Sequence, residues 1–321
     1  MHRAPAVESD MDFAHDITAI DTGFFRPRFD ASHLIIERGR AAFIDTGTNY
    51  SVQRLLDALK QKQISVNAVD YVILTHVHLD HAGGAGLMMQ YLPNAKLVVH
   101  PRGARHMIDP SALIAGATAV YGAEEIERSY GTLVPVPVER VTEAPEGHVV
   151  DLAGRELLCI DTPGHARHHI CIYDARSRAF FTGDTFGLSY REFDTDKGAF
   201  ILPTSTPVQF EPDALKHSIA RMLERDPQQM FLTHYSRVDD VQRLARDLYE
   251  QIDAMVAIAR AHARDDERHA RIAEDLADLY VSRAHAHGCT HTPARVRELL
   301  EMDIELNTQG LEVWLDKQKS G

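Results

Sequence analysis

Apolar residues recur along this chain in two different patterns, and the change between them falls near residue 236. Before that point short aliphatic or aromatic runs alternate with turns and a few amphipathic stretches, which is typical of a domain that mixes strands and helices. One amphipathic stretch carries Val52, Leu55, Leu56 and Leu59, and another is opened by Pro212. The strand candidates are SHLIIERG, AAFIDTG, YVILTH, AKLVVH, RELLCIDTPG, HHICIYD, AFFTGD and QMFLTH.

The second pattern is helical. After residue 236 apolar residues recur at steps of three and four in a charged background, without a strand-like run. One helix is predicted to begin at Thr292-Pro293, where a side-chain cap precedes a proline in the first turn. The other predicted helices carry Leu244, Leu248 and Ile252, then Ile272, Leu276 and Tyr280, and finally Leu311, Trp314 and Leu315. We therefore expect an α/β domain over residues 15–236 and a helical extension over residues 237–321 that packs on it.

Composition and charge narrow the class of protein. The formal net charge of -13 argues against a protein that gains affinity by neutralising nucleic-acid phosphates, so we expect a small-molecule substrate and no nucleic acid. No run approaches the roughly 20 apolar residues that span a bilayer, and the polar N-terminus is unlike a signal peptide. The three cysteines lack ligand-like spacing, which favours free thiols in a reducing cytoplasm. No membrane association is expected.

The stretch LTHVHLDHAGG concentrates potential metal ligands just after a predicted strand. His76 and His78 lie two residues apart, so in extended backbone their rings point the same way and can share one ion. His165, in DTPGHARHH at the end of another strand, would be the third ligand. Three imidazoles on a zinc ion leave one position for water, whose pKa then falls to near neutrality.

Asp80 and His81 indicate a second ion beside the first, with His234 at the end of FLTH as its third ligand. Asp184, in FFTGDT, lies at a further strand end, and its two carboxylate oxygens can bridge cations held about 3.5–4 Å apart. We predict two divalent ions, zinc in the first place and iron or manganese as alternatives, with a bridging hydroxide as the nucleophile. The remaining histidines, among them His33, His100, His106, His168, His169 and His217, are expected to be ordinary core or surface residues.

THVHLDH, with FIDTG upstream and TPGH, TGD and LTH following in order, resembles the metallo-β-lactamase superfamily over residues 30–236 or so. The resemblance implies an α/β fold, a four-layer αββα sandwich. It implies His76, His78 and His165 on the first metal. It implies Asp80, His81 and His234 on the second, with Asp184 as the bridge. It also implies that Asp45 supports the site from behind without ligating a metal.

The resemblance also narrows the reaction. Antibiotic-hydrolysing β-lactamases carry a cysteine ligand where this chain has Asp184, whereas thioesterases of the glyoxalase II type, lactonases and tRNA-processing ribonucleases are similar to it there. The acidic chain disfavours the ribonucleases, and TPGH favours the glyoxalase-like groups. We therefore expect a dinuclear-metal hydrolase that cleaves an ester, thioester or lactone. A mononuclear iron persulfide dioxygenase and a phosphodiesterase or ribonuclease of the same superfamily stay open as alternatives.

Other residues are candidates for supporting roles. Tyr190, six residues past Asp184, is our candidate for the group that protonates the leaving atom, and Arg191 and Lys197 are candidates for binding a substrate carboxylate. The segment HAHGCTH contains His285, His287, Cys289 and His291, and it is interpreted as an interhelical turn rather than a second metal site. The amphipathic tail makes a homodimer a further expectation.

Overall fold

The structure is a computed structural model that describes residues 10–205 and 208–319. The chain divides into two compact units. The first unit comprises residues 1–159 and 174–177, and the second comprises residues 160–173 and 178–321. Within the described ranges no helix combines the length and the apolar character needed to cross a bilayer.

A seven-stranded mixed sheet forms the centre of the first unit, with its strands in chain order. The first four strands pair antiparallel, and the last four, from β4 onward, pair parallel. These strands are β1 (Met11–Phe13), β2 (Ile17–Asp21), β3 (Ala31–Glu37), β4 (Arg40–Ile44), β5 (Val69–Ile73), β6 (Lys96–Val99) and β7 (Val141–Glu143). An antiparallel hairpin follows, formed by β8 (Val149–Leu152) and β9 (Arg155–Asp161).

Helices cover this sheet through a core of aliphatic side chains. The helices of the first unit are α1 (Val52–Gln61), α2 (Leu79–Ala82), α3 (Ala85–Tyr91), α4 (Pro101–Ile108), α5 (Ser111–Tyr121) and α6 (Ala123–Tyr130). Phe43, Val72 and Leu97 from the sheet pack with Leu55 of α1 and Met88 of α3. The predicted apolar face of α1 is thus confirmed, because apolar residues at helical spacing have a sheet to bury against.

A buried ion pair stabilises the first unit. Arg155 donates two hydrogen bonds to Asp174, from Nε at 3.2 Å and from Nη2 at 2.5 Å, and both side chains are excluded from solvent. Burial alone would raise the pKa of Asp174, but the hydrogen bonds from Arg155 and Ser177 outweigh it and hold that pKa below its ordinary value. The carboxylate therefore stays ionised in the interior, where its partners replace water.

The second unit contains β10 (Ile170–Asp174) except for its last residue, together with β11 (Ala179–Gly183), β12 (Gln229–Leu232) and β13 (Ser236–Val238). These strands neighbour one another in that order. β11 and β12 pair parallel, whereas β12 and β13 pair antiparallel. The connection between β11 and β12 includes α7 (Pro212–Leu223), which begins at the predicted proline. Phe181 and Phe231 stack at 5.0 Å between ring centroids and anchor the two parallel strands.

The region after residue 236 is helical, as its spacing predicts. It forms α8 (Val241–Ala261), α9 (Arg268–His287), α10 (Pro293–Leu299) and α11 (Glu301–Lys319). α8 packs on α7, and α11 packs on α8 and α9. The side chain of Thr292 accepts a hydrogen bond from the Arg295 amide, so the predicted cap of α10 is confirmed. These helices and the strands β10–β13 belong to one compact unit.

Candidate metal centre

The first unit brings four of the predicted ligands together in the connection from β5 to α2. His78 has extended backbone angles and directly precedes α2. The rings of His76 and His78 lie close together, with Nε2 of His76 and Nδ1 of His78 2.8 Å apart. Asp80 and His81 lie on the first turn of α2, and Nε2 of His81 lies 3.7 Å from Oδ2 of Asp80.

Asp45 holds this group from behind. Its Oδ2 accepts a hydrogen bond from Nδ1 of His81 at 2.9 Å. The backbone amide and the hydroxyl of Thr75 also donate to Asp45, at distances of 2.8–3.0 Å. Because a carboxylate only accepts, His81 must carry its proton on Nδ1, and its Nε2 therefore offers a lone pair.

Thr75 fixes the tautomer of His76 in the same way. Its single hydroxyl proton is directed to Asp45, so its oxygen accepts from Nδ1 of His76 at 3.1 Å. Nε2 of His76 is then also left with a lone pair. A carboxylate or hydroxyl behind a histidine is the usual arrangement that orients a metal ligand. The supporting position of Asp45 is expected from the sequence, whereas that of Thr75 is not.

The second unit brings the other three predicted ligands together at the ends of its strands. Asp184 follows β11, His234 follows β12, and His165 lies in the turn after β9. Oδ2 of Asp184 lies 3.4 Å from Nε2 of His165, and Oδ1 lies 3.7 Å from Nε2 of His234. One carboxylate oxygen therefore faces each histidine, as a bridging ligand requires.

Neighbouring groups orient these side chains as well. Nδ1 of His165 donates to the Thr204 carbonyl at 3.5 Å, a long bond that leaves the lone pair of the ring on Nε2. Nε2 of His169 accepts from the Asp184 amide at 3.3 Å, while its Nδ1 lies 2.9 Å from the Thr162 hydroxyl. His169 is fully buried and hydrogen-bonded, as expected for a core histidine, but its position behind Asp184 gives it a supporting role that its sequence context did not indicate.

Both sets of side chains have the chemistry of a divalent-cation site. The described donor atoms are imidazole nitrogens and carboxylate oxygens, which suit zinc, iron and manganese. Of the proposed ligands, His76, His81, His165, His234 and Asp184 are buried, whereas His78 is partly exposed. In the first unit Nε2 of His76, which has a lone pair, accepts a hydrogen bond from Nδ1 of His78 at 2.8 Å, so the two rings lie close enough to share one ion. These residues fit the metals that the sequence predicts.

Tyr190, Arg191 and Lys197 have partners of their own within the second unit. The buried hydroxyl of Tyr190 donates to Oδ1 of Asp303 in α11 at 3.0 Å. Arg191 donates from Nε to the Ser189 carbonyl at 3.1 Å, and Lys197 donates to the Ala286 carbonyl at 2.8 Å. The proton-donor role of Tyr190 and the substrate-binding roles of the two cations stay predictions.

The histidines of the segment 285–291 bind backbone carbonyls. Nε2 of His285 donates to the His291 carbonyl at 2.8 Å, and Nε2 of His287 donates to the Gly198 carbonyl at 2.9 Å. Nε2 of His291 donates to the Glu192 carbonyl at 3.0 Å. His285 and His287 lie in the last turn of α9, and residues 288–291 connect it to the cap of α10, so the interpretation of the segment as the junction between two helices is confirmed.

Comparison with known protein families agrees with this donor set. The model of the metallo-β-lactamase superfamily matches residues 26–262. This chain belongs to the metallo-β-lactamase superfamily. The fold predicted from the sequence is thereby confirmed as an α/β fold with two mixed sheets and additional C-terminal helices. Metal binding is typical of superfamily members, and the described histidine and aspartate clusters are in keeping with it.

One relative resembles this superfamily member in both sequence and structure. The metallo-β-lactamase fold-containing protein ST1585 of Sulfurisphaera tokodaii is 28% identical over 173 residues, which cover 53% of this chain and 61% of that protein. Its crystal structure superposes with a TM-score of 0.64 at 22% identity, covering 93% of this chain and 99% of that one. At this identity the structural likeness establishes the fold.

Two further relatives carry names that state a reaction. Acyl-coenzyme A thioesterase MBLAC2 of Gallus gallus is 29% identical over 124 residues, or 35% of this chain and 40% of that protein. Hydroxyacylglutathione hydrolase of Pectobacterium carotovorum is 27% identical over 149 residues, or 46% of this chain and 43% of that protein. The alignments thus span less than half of these two enzymes.

Proposed function

We propose that this chain is a dinuclear-metal hydrolase that cleaves an ester, thioester or lactone bond in a small molecule. The observation that carries the proposal is the carboxylate of Asp184, which presents one oxygen toward His165, at 3.4 Å, and the other toward His234, at 3.7 Å. An aspartate in this geometry suits two hard or borderline cations. The thioester-cleaving relatives named above support a carbonyl substrate.

In this proposal His76, His78 and His165 hold the first metal, and Asp80, His81 and His234 hold the second. When bound, such a pair of ions supplies a hydroxide at neutral pH and an electrophile for the carbonyl oxygen. Asp184 would bind both ions, one through each carboxylate oxygen. The protein needs no serine or cysteine nucleophile, and a tyrosine, Tyr190, is the proposed proton donor, which would have to exchange its bond to Asp303 for one to the leaving group.

The surrounding residues fix three of the proposed ligands before a metal arrives. Asp45 and Thr75 set the tautomers of His81 and His76, and the Thr204 carbonyl sets that of His165. Each of these partners lies on the far side of the ring from the proposed metal. Preorganisation of this kind lowers the cost of assembling the site on binding.

The test combines metal analysis with a substrate panel. Purified protein should contain close to two divalent ions per chain and should hydrolyse a thioester or a lactone. His76→Ala and Asp184→Ala should lose that hydrolysis. His285→Ala serves as the matched control, because it removes a histidine that bonds only the turn described above and should leave the rate unchanged.

Other outcomes would redirect the assignment. Full hydrolysis by metal-free protein would refute the proposal. One iron per chain, together with thiol-dependent oxygen uptake, would identify the persulfide dioxygenase alternative. Cleavage of a phosphodiester, with RNA affinity that falls steeply as salt rises, would identify the nuclease alternative.

A further inference from the structure

The last helix carries a buried polar face that the proposed reaction does not use. Asp303, Asn307 and Gly310 lie four and then three residues apart on α11, so they share one face of the helix. All three are buried. Burying a carboxylate or an amide without hydrogen bonds lowers the stability of the folded state. The hydrogen-bond partners of Asp303 and Asn307 therefore indicate the role of this face.

Asn307 holds the segment around Thr204. Its Oδ1 accepts from the Ser205 amide at 2.6 Å, and its Nδ2 donates to the Pro203 carbonyl at 3.3 Å. The Ser205 hydroxyl bonds Oδ1 and the backbone carbonyl of Asn307, both at 3.1 Å. The two residues that flank Thr204 are thus fixed to α11, and the Thr204 carbonyl is the group that accepts from Nδ1 of His165.

Gly310 permits this close approach. A Cβ at position 310 would lie 1.3 Å from the Ser205 carbonyl oxygen, a distance that no packed structure accommodates. Only glycine leaves room for the backbone of this segment against the helix. The segment 203–205 therefore lies against α11 with its backbone in direct contact and held by side-chain hydrogen bonds on both sides of Thr204.

Asp303 makes a second connection, to the neighbourhood of His234. It accepts from the Tyr190 hydroxyl at 3.0 Å. The residue before Tyr190 is Ser189, whose amide donates to the His234 carbonyl at 2.5 Å and whose carbonyl accepts from the Tyr235 amide at 3.3 Å. The same helix face thus leads to the two proposed ligand histidines of the second unit, His165 and His234.

We propose that Asn307 and Asp303 are positioning residues that use α11 to fix His165 and His234 for metal binding. This inference rests on the proposed function, because it takes the two histidines as ligands. It predicts that the C-terminal helix tunes metal affinity without contacting a metal. Outer-shell partners of metal-binding histidines are typically worth 10- to 100-fold in affinity, and we expect the lower end of that range for these more distant contacts.

The experiment measures both stepwise zinc dissociation constants by competition with a chromogenic chelator, alongside the melting temperature of the metal-free protein. Asn307→Ala should raise at least one of the two zinc dissociation constants about tenfold. Thr308→Ala is the matched control, because Thr308 is buried on the same helix but bonds only the Ile304 carbonyl one turn earlier. It should lower the melting temperature and leave both zinc constants unchanged.

Ser205→Ala provides a milder variant if Asn307→Ala does not fold, since it removes one hydroxyl and keeps the amide bond to Asn307. Ser205→Ala should also raise a zinc dissociation constant, by a smaller factor than Asn307→Ala. If the folded variants bind both zinc ions within twofold of the wild-type constants, the positioning role is wrong while the proposed hydrolase stands. If the wild-type chain itself binds no zinc, iron or manganese, the proposed function fails and this inference fails with it.

Discussion

Replacement of Asp45 by asparagine should weaken the binding of one metal ion and leave the protein folded. Asparagine keeps the volume and one acceptor oxygen, which the Thr75 amide can retain as it does now at 2.8 Å. The new amide nitrogen then faces Nδ1 of His81, where a carboxylate oxygen now accepts at 2.9 Å. Two donors cannot pair, so the imidazole proton should move to Nε2, and that nitrogen no longer offers a lone pair.

The magnitudes separate the effect on the metal from the effect on stability. The lost charge-assisted hydrogen bond is worth about 1.5–3 kcal/mol, which a domain with roughly 5–15 kcal/mol of stability survives. Outer-shell partners of metal ligands are worth about 10- to 100-fold in affinity. A tautomer change in the aspartate–histidine pair of serine proteases costs about 10⁴ in rate. We therefore expect at least 100-fold weaker binding of one zinc ion.

The assay is stepwise zinc titration with a competing chelator, together with the histidine ring nitrogen shifts of His81 in nuclear magnetic resonance. Asp174→Asn is the matched control, since Asp174 is another buried aspartate of the first unit but bonds Arg155 rather than a proposed ligand. It should lose stability and retain both zinc ions. Unchanged zinc constants in Asp45→Asn, or a proton still on Nδ1 of His81, would show that Asp45 does not set the tautomer of His81 for metal binding.

Three further outcomes follow from the structure. Gly164→Ala should destabilise the protein by at least about 3 kcal/mol in urea, because φ is +132° and the new Cβ would lie 2.3 Å from the backbone of Leu215. Burial lowers the pKa of His33 to about 3, so stability should fall by about 2 kcal/mol from pH 6.5 to 5, and His33→Leu should flatten that slope in urea unfolding. Removal of zinc by a chelator should lower the melting temperature. If free zinc was 100 times its dissociation constant before removal, the free energy of unfolding should fall by about 2.7 kcal/mol.

The fold was predictable where apolar patterns were long. All eight strand candidates are strands, because runs such as YVILTH and QMFLTH are too apolar to lie at the surface. The missed strands β1, β7 and β13 have three residues each, and β8 has four, which is too short for a period of two to register. β2, ITAID, is longer but mixes polar with apolar residues, although every position in it is buried.

The proposed ligands could be predicted for a different reason than the residues that hydrogen-bond to them. His76, His165 and Asp184 each lie just past a strand in a short motif, so local sequence identifies them. Thr75 and Asn307 owe their roles to partners that are far away in the sequence, 30 residues for the bond from Thr75 to Asp45 and 102 for that between Asn307 and Ser205. Only the three-dimensional arrangement reveals such partners.

The turn between α9 and α10 has a practical consequence for counting metal ions. HAHGCTH looks like a short affinity tag, and a solvent-exposed run of this kind would collect stray zinc during purification. In this protein the Nε2 atoms of His285, His287 and His291 already donate protons to carbonyl oxygens. These hydrogen bonds leave the lone pair of each neutral ring on Nδ1 and tie the three rings to different backbone carbonyls. The rings cannot gather on one ion through Nε2 as the rings of a flexible tag can, so zinc above the two proposed ions would signal binding at Nδ1 or opening of this turn.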